Sequence, residues 1–173
     1  HLILQDDTTL TCDSSIVVNY GNALTIYSQS LSQKSPEVWG TSQADNHMGT
    51  IIATNPHTSE DIGAGAGIGS VIGTLNGEQY PFSSGNITIC GGNTKATGGS
   101  GGAGIGGSLE GAASGTITIR NGIVYAEGGH FGAGIGGGDN SGASNIVISG
   151  GRVTAIGHGR AAGIGGGGTG LDV

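Results

Sequence analysis

Two acids close in space are enough to break a glycosidic bond, and Asp45 with Glu60 or Asp61 are carboxylates of this sequence that stand in its irregular second coil. Glycoside hydrolysis needs a carboxyl pair about 5–10 Å apart, flanking the scissile bond. The same stretches carry the only tryptophan, Trp39, together with His47, His57, Tyr80 and Phe82. Aromatic rings cover the apolar faces of sugars, while carboxylates accept hydrogen bonds from sugar hydroxyls. Trp39, Asp45, His47, His57 and Tyr80 are therefore the candidate ligand-binding residues, with Asp45, Glu60 and Asp61 the candidate catalytic acids. A bland account stands beside each: Trp39, Tyr80 and Phe82 as loop aromatics sealing one side of the fold, and the acids as solvated loop charge.

No cofactor or metal is expected. His47, His57 and Asp45 lack the HxH or HExxH spacing of a metal site. His130 and His158 fall near equivalent positions of successive repeats, offset by one residue. Glycine-rich loops cradle phosphate when a helix N-terminus or a Walker lysine follows them, and Gly102-Ala103-Gly104-Ile105-Gly106-Gly107 offers neither.

These candidates need a scaffold, and it is written in a repeat. Gly102–Gly107 returns as Gly132-Ala133-Gly134-Ile135-Gly136-Gly137 and again as Ala161-Ala162-Gly163-Ile164-Gly165-Gly166, with an earlier copy at Gly65-Ala66-Gly67-Ile68-Gly69. The isoleucines of the four copies are 37, 30 and 29 residues apart (68 to 105, 105 to 135, 135 to 164). Asn86-Ile87-Thr88-Ile89 keeps the same beat with Thr116-Ile117-Thr118-Ile119 and Asn145-Ile146-Val147-Ile148. So does Thr94-Lys95-Ala96 with Val124-Tyr125-Ala126 and Val153-Thr154-Ala155. Each motif alternates as a strand with one buried face must, and its β-branched content favours strand over helix. Glycine pairs such as Gly91-Gly92 and Gly150-Gly151 separate the strands and allow tight corners.

Three short strands and three corners fill a unit of about thirty residues. The expected fold is all-β, a right-handed parallel β-helix (a β-solenoid) with three strands per coil and about five coils. Equivalent residues then stack at about 4.8 Å: Ile87, Ile117 and Ile146 in one ladder, Ile68, Ile105, Ile135 and Ile164 in a second, Thr94, Val124 and Val153 in a third. Residues 1–173 read as a single domain. Within it, 86–170 is regular and 1–85 irregular, with insertions at Leu31–Met48 and Gly73–Ser84 and a polar stretch at Asn55–Asp61. If the isoleucines of the glycine strand point inward, Gly104, Gly134 and Gly163 point outward and leave one face as bare backbone. Alternatively, a narrow core and tight corners leave no room there for side chains.

Composition limits function. With 40 glycines in 173 residues and 4% aromatics, a globule built on large side chains is not expected. Hydrophobic residues at 35% against 10% charged, in register, separate the chain from disorder. Glycine does not recur at every third position, which excludes collagen. A formal charge of −7 with five Lys plus Arg argues against nucleic acid and against an anionic membrane surface. No apolar run of 18 residues spans a bilayer. Cys12 and Cys90 fall about two coils apart, roughly 10 Å at strand spacing, beyond the ~7 Å that a disulfide bridges; both are expected to be free. His1-Leu2-Ile3-Leu4 carries no signal-peptide features, so any leader is expected to have been removed. The repeat stops near Val173 without an obvious polar cap, so the chain is expected to come from something longer.

The units NITICGG…GGAGIGG, TITIRNGIVYAEGGHFGAGIGGG and NIVISGGRVTAIGHGRAAGIGGGG resemble the glycine-rich repeats of large secreted or surface proteins of gut-type bacteria, within the pectin-lyase-like β-helix group. The resemblance covers 86–170 closely and 1–85 loosely. It implies the fold and a bacterial extracellular or cell-surface setting, and no particular reaction, since that group holds lyases, hydrolases, adhesins and inert stalks. The expected function is a non-enzymatic module for adhesion, glycan contact or spacing, with glycan as the expected partner. The alternatives are part of a β-helix polysaccharide-degrading enzyme, a glycoside hydrolase or lyase, and an ice-binding solenoid. Regular threonine arrays serve ice binding, and the ladder Thr25, Thr88, Thr118 suits it until Val147 ends it, beside the irregular ladder Lys95, Tyr125, Thr154.

Overall fold

The computed structural model describes residues 1–30, 47–59, 62, 64–111, 115–143 and 145–169. The described residues contain strands and turns but no helix, and so none long enough to cross a membrane. Five coils follow one another. The first is β1 (Leu2–Leu4), β2 (Thr9–Cys12) and β3 (Ile16–Val17). The second is β4 (Ala23–Ser28), β5 (Thr50–Thr54) and β6 (Ile68–Gly69), followed by β7 (Ile72–Leu75) and β8 (Glu78–Pro81). The third is β9 (Asn86–Ile89), β10 (Asn93–Thr97) and β11 (Ile105–Gly106). The fourth is β12 (Ile117–Ile119), β13 (Ile123–Glu127) and β14 (Ile135–Gly136), and the fifth β15 (Ile146–Ile148), β16 (Arg152–Ile156) and β17 (Ile164–Gly165).

The first strands of the coils pair in parallel as sheet A (β1, β4, β9, β12, β15), the second as sheet B (β2, β5, β10, β13, β16), the third as sheet C (β3, β6, β11, β14, β17). The chain is a parallel β-helix of three strands per coil, in the right-handed sense that β-crossovers adopt. Pairing carries no slip. In sheet A, Leu2, Ile26, Ile89, Ile119 and Ile148 form one inward column. In sheet B the column is Leu10, Ile51, Thr94, Val124, Val153, and in sheet C it is Ile16, Ile68, Ile105, Ile135, Ile164. Outward on sheet A run Thr25, Thr88, Thr118 and Val147.

Period-two alternation places these side chains, and stacking buries them. Ile51, Ile68, Ile89, Ile119 and Ile135 are fully buried because a coil lies on each side. One such side chain contributes roughly 1.5–3 kcal/mol when covered. Thr94 takes a place in the sheet B column, and its hydroxyl is buried with no hydrogen-bond partner among the described residues. Gly92, Gly122 and Gly151 turn the corner from sheet A to sheet B with φ of 82°, 99° and 82°, angles that cost a β-carbon dearly.

The glycines of sheet C settle the choice between an outward bare face and a narrow core. A β-carbon on Gly67 would lie 2.7 Å from the Thr97 nitrogen, one on Gly104 2.6 Å from the Glu127 nitrogen, and one on Gly134 2.5 Å from the Ile156 nitrogen. These residues point at the backbone of sheet B, not at solvent, and Gly104 and Gly134 are buried. Of the two accounts, the narrow core that leaves no room for side chains is the one this geometry bears out, and Gly104, Gly134 and Gly163 make no open glycine face. The sheets approach backbone to backbone, and glycine is what the gap admits. Further bonds brace each coil to the next: Asp139 N–H donates to the Gly101 carbonyl and Gly168 N–H to the Phe131 carbonyl, both at 2.8 Å.

The insertion at 73–84 is not a loose loop. β7 and β8 form an antiparallel hairpin whose turn is Asn76-Gly77, with φ of 54° and 87°. Left-handed angles at both central residues are the mark of a type I′ turn, which Asn-Gly favours. Cys12 faces inward beside Ala53 and Cys90 follows β9; both are free.

Candidate functional site

Of the residues singled out for chemistry, the three that are described stand apart from one another. Trp39, Asp45, Glu60 and Asp61 lie outside the described residues. The other three sit at three different corners of the second coil. His47 precedes β5, at the corner between sheets A and B, with its Nδ1 2.8 Å from Oδ1 of Asp7 in the first coil. His57 follows β5, between sheets B and C, where its backbone N–H donates to Asn55 Oδ1 (2.9 Å) and its carbonyl accepts from Ser100 N–H (2.8 Å). Tyr80 stands on the hairpin between sheets C and A, its ring edge-on to Phe82 at 5.5 Å. A body of stacked strands separates these corners, so His47, His57 and Tyr80 do not line one groove. Among the described residues no three His, Cys, Asp or Glu side chains are placed to hold a metal ion.

A different constellation forms on the outer face of sheet B. Because Val124 and Ala126 point into the core, Tyr125 and Glu127 point out, two residues apart on one strand. At that spacing the Tyr125 hydroxyl reaches Glu127 Oε2 at 3.0 Å. His158, just past β16 in the next coil, brings its Nε2 to 3.0 Å from Glu127 Oε1. In the preceding coil Lys95 stands in register with Tyr125 and holds its Nζ 5.8 Å from the ring centroid. Four side chains from three coils thus make one connected group, whose carboxylate has a polar partner on each oxygen.

Its electrostatics follow from those contacts. The Glu127 carboxyl is held below its ordinary value, chiefly by the hydrogen bond with His158. Burial opposes the shift, and Tyr125 and the charges of His158 and Lys95 reinforce it. The Tyr125 hydroxyl is raised, first by burial and then by the adjoining Glu127. At neutral pH the pair is a carboxylate accepting from a phenol that keeps its proton. Such a group orients a ring and presents an anion in one position on a flat surface.

Of this cluster, the repeat ladder exposes Lys95 and Tyr125, but nothing local marks Glu127 or joins it to His158. The usable signal is the outward alternation Tyr125, Glu127, extended one coil forward to the corner that holds His158. His130 and His158 both lie between sheets B and C in adjacent coils, as expected, but their rings have different neighbours. His158 faces Glu127, whereas the His130 ring lies 3.9 Å from the ring of Phe131.

Comparison with known proteins bears on the regular half. The family model described as beta helix repeat matches residues 87–109, 117–139 and 146–168. Each match starts at the first inward isoleucine of a sheet A strand and runs past the sheet C strand, which is one coil less its last corner. Nothing matches the chain among curated proteins or among solved structures. Three matched coils, stacked in register with two more, place this chain at the level of fold in the parallel β-helix group.

Proposed function

We propose that this chain is a non-catalytic β-helix module, working outside the cell or on its surface, which contacts glycan through the outer face of sheet B. The observation that carries this reading is Glu127, fixed on both oxygens by Tyr125 and His158 beside a half-buried aromatic ring. The strip lies on rigid strands, which favours recognition of an extended polymer without rearrangement. The low-charge surface and the resemblance to repeats of bacterial surface proteins support an extracellular setting.

A glycan array probed with the intact chain tests this. Binding that Tyr125→Ala and Glu127→Gln each abolish, and that Thr118→Asn on sheet A leaves intact, is the expected result. Binding that survives both sheet B variants but fails in Trp39→Ala would move the site to the second-coil insertion. Bond cleavage in the bound polymer, abolished by Asp45→Asn or Glu60→Gln, would replace the reading with the hydrolase one.

A further inference from the structure

The corner between sheets A and B is turned by Gly91-Gly92 in the third coil and by Gly150-Gly151 in the fifth, but by Asn121-Gly122 in the fourth. Strand pairing resumes just past it: Ile123 N–H donates to the Gly92 carbonyl, and Arg152 N–H to the Gly122 carbonyl. Gly122 N–H itself has no main-chain acceptor among the described residues. It donates instead to Oδ1 of the preceding side chain, Asn121, at 2.8 Å. That donor fixes which way the amide points, with its oxygen toward Gly122.

The bond that satisfies this N–H also aims its nitrogen at a carbon. Bond formation starts from reacting atoms held about 3–3.5 Å apart, and the contact sets the Gly122 nitrogen beside Asn121 Cγ, the carbon that bears Oδ1. Glycine puts no β-carbon in the way of the approach. Because the N–H serves no strand pairing, closing a ring through it breaks no ladder bond. We propose that Asn121 is a site of self-modification in which water is the only reagent. Hydroxide removes the Gly122 amide proton, and the nitrogen attacks Asn121 Cγ. The Cγ–Nδ2 bond breaks, Nδ2 takes a proton from water and leaves as ammonia, and a five-membered cyclic imide remains. Water then opens the imide. Cleavage at Cγ restores the original chain with aspartate in place of Asn121, while cleavage at the main-chain carbonyl carbon routes the chain through Cγ as an isoaspartyl link.

The isoaspartyl product is longer by one main-chain carbon, and the corner has no slack to take it. Ile123 N–H and the Gly122 carbonyl are each tied to a flanking coil, and a β-carbon on Gly122 would already lie 2.5 Å from the Gly92 oxygen. The added carbon therefore pushes Ile123 against its register partners Asn93 and Arg152. Tyr125 and Glu127 follow on the same strand, β13. Either product also sets a new carboxylate next to Arg120 in the chain.

The other Asn-Gly pair, Asn76-Gly77, is the internal comparison. It forms the exposed turn of the hairpin, where the described residues show no such bond to the Asn76 side chain. The 173-residue chain is held at mildly alkaline pH and sampled by peptide mass mapping, with fragmentation separating aspartyl from isoaspartyl products. Acid should appear at Asn121 before Asn76, with one ammonia released for each acid formed, at a rate that rises with hydroxide. In urea, where the folded contact is lost, the difference between the two pairs should vanish. Gly122→Ala should slow the reaction several-fold. The isoaspartyl fraction, isolated by ion exchange, should melt below the unmodified chain, whereas Asn121→Asp, which has the charge without the extra carbon, should melt close to it. An Asn121 that is still intact once Asn76 has converted overturns the proposal, as does an Asn121 that reacts no faster folded than in urea. An isoaspartyl fraction as stable as the unmodified chain refutes the tight corner. Should Gly122→Ala fail to fold, since its φ is 99°, the order of the two pairs in the wild type decides alone.

Discussion

Replacing Gly134 by alanine adds one methyl group to a molecule of 173 residues, and the structure specifies where it must go. The new carbon would lie 2.5 Å from the Ile156 nitrogen, 2.7 Å from the Gly163 oxygen and 2.8 Å from the Ala155 carbonyl carbon. All three are main-chain atoms of hydrogen-bonded strands, so relief requires sheets B and C to move apart, which loosens neighbouring contacts in the column. Gly134 is not among the glycines with positive φ, so the penalty is one of space alone. Overpacking of this kind costs about 1–3 kcal/mol, against which the stiffer unfolded chain returns about 0.4–1 kcal/mol. The net destabilisation, about 1–2 kcal/mol, corresponds to a fall of roughly 2–8 °C in Tm for a domain of this size. Gly142→Ala, in the same coil, is the control: nothing lies within 4 Å of its β-carbon, and Tm should hold or rise slightly. Thermal unfolding followed by circular dichroism compares them. Equal Tm for the two variants would mean that Gly134 faces open space, and the account of a backbone-to-backbone core would fall.

Thr94→Val should raise stability by about 1 kcal/mol, because it replaces a buried hydroxyl that has no partner among the described residues by a methyl group inside an aliphatic column; a urea midpoint that fails to rise would mean the hydroxyl is satisfied in solution. Ile135→Asn should cost about 3 kcal/mol or more, since it buries an amide between Ile105 and Ile164, while Thr118→Asn on the outer face should stay within about 0.5 kcal/mol. Comparable urea midpoints for that pair would reverse the assignment of inside and outside. Glu127 has a folded-state value below its ordinary one, so its contribution is present above the ordinary carboxylate range and is lost as pH falls through the depressed folded value. Stability curves of wild type and Glu127→Gln should therefore differ at neutral pH and converge in acid; a gap that widens on acidification would refute the assigned direction.

What the sequence discloses about this fold depends on repetition. The inward columns are legible because coils three to five place isoleucine, valine and alanine at matching positions, so neither register nor coil number needed long-range guesswork. The second coil keeps the strands but hides them among insertions. The hairpin β7–β8 carries its own signal, Asn76-Gly77 between Ile72–Leu75 and Glu78–Pro81, yet it breaks the parallel beat and so passes for a loop when the repeat is the template. The direction of Gly104 and Gly134 was not legible for a geometric reason. β11 and β14 are two residues long, too short for alternation to define a face, and the approach of sheet B decides the matter. The Glu127–His158 contact joins residues 31 apart in sequence; it appears only once two coils are laid one on the other. His47, His57 and Tyr80 share one irregular stretch of chain, but a coil sends consecutive loops to different corners. Proximity in sequence is therefore a poor guide to a shared site in this architecture.

The same geometry separates stability from function. Inward positions stack on their equivalents at about 4.8 Å and are bound by the size of the gap they fill, so the sheet C column keeps isoleucine in all five coils and the Leu10 column of sheet B varies only among leucine, isoleucine, threonine and valine. Outward positions touch only their ladder neighbours and are free to differ: Thr11, Ile52, Lys95, Tyr125 and Thr154 share one column of sheet B without disturbing the core. A recognition surface on such a scaffold is composed down a ladder, one coil at a time, rather than along the chain. The place to look for chemistry is then wherever an outward ladder departs from simple repetition with side chains that also bond each other. Among the described residues, the group Lys95, Tyr125, Glu127 and His158 meets both conditions.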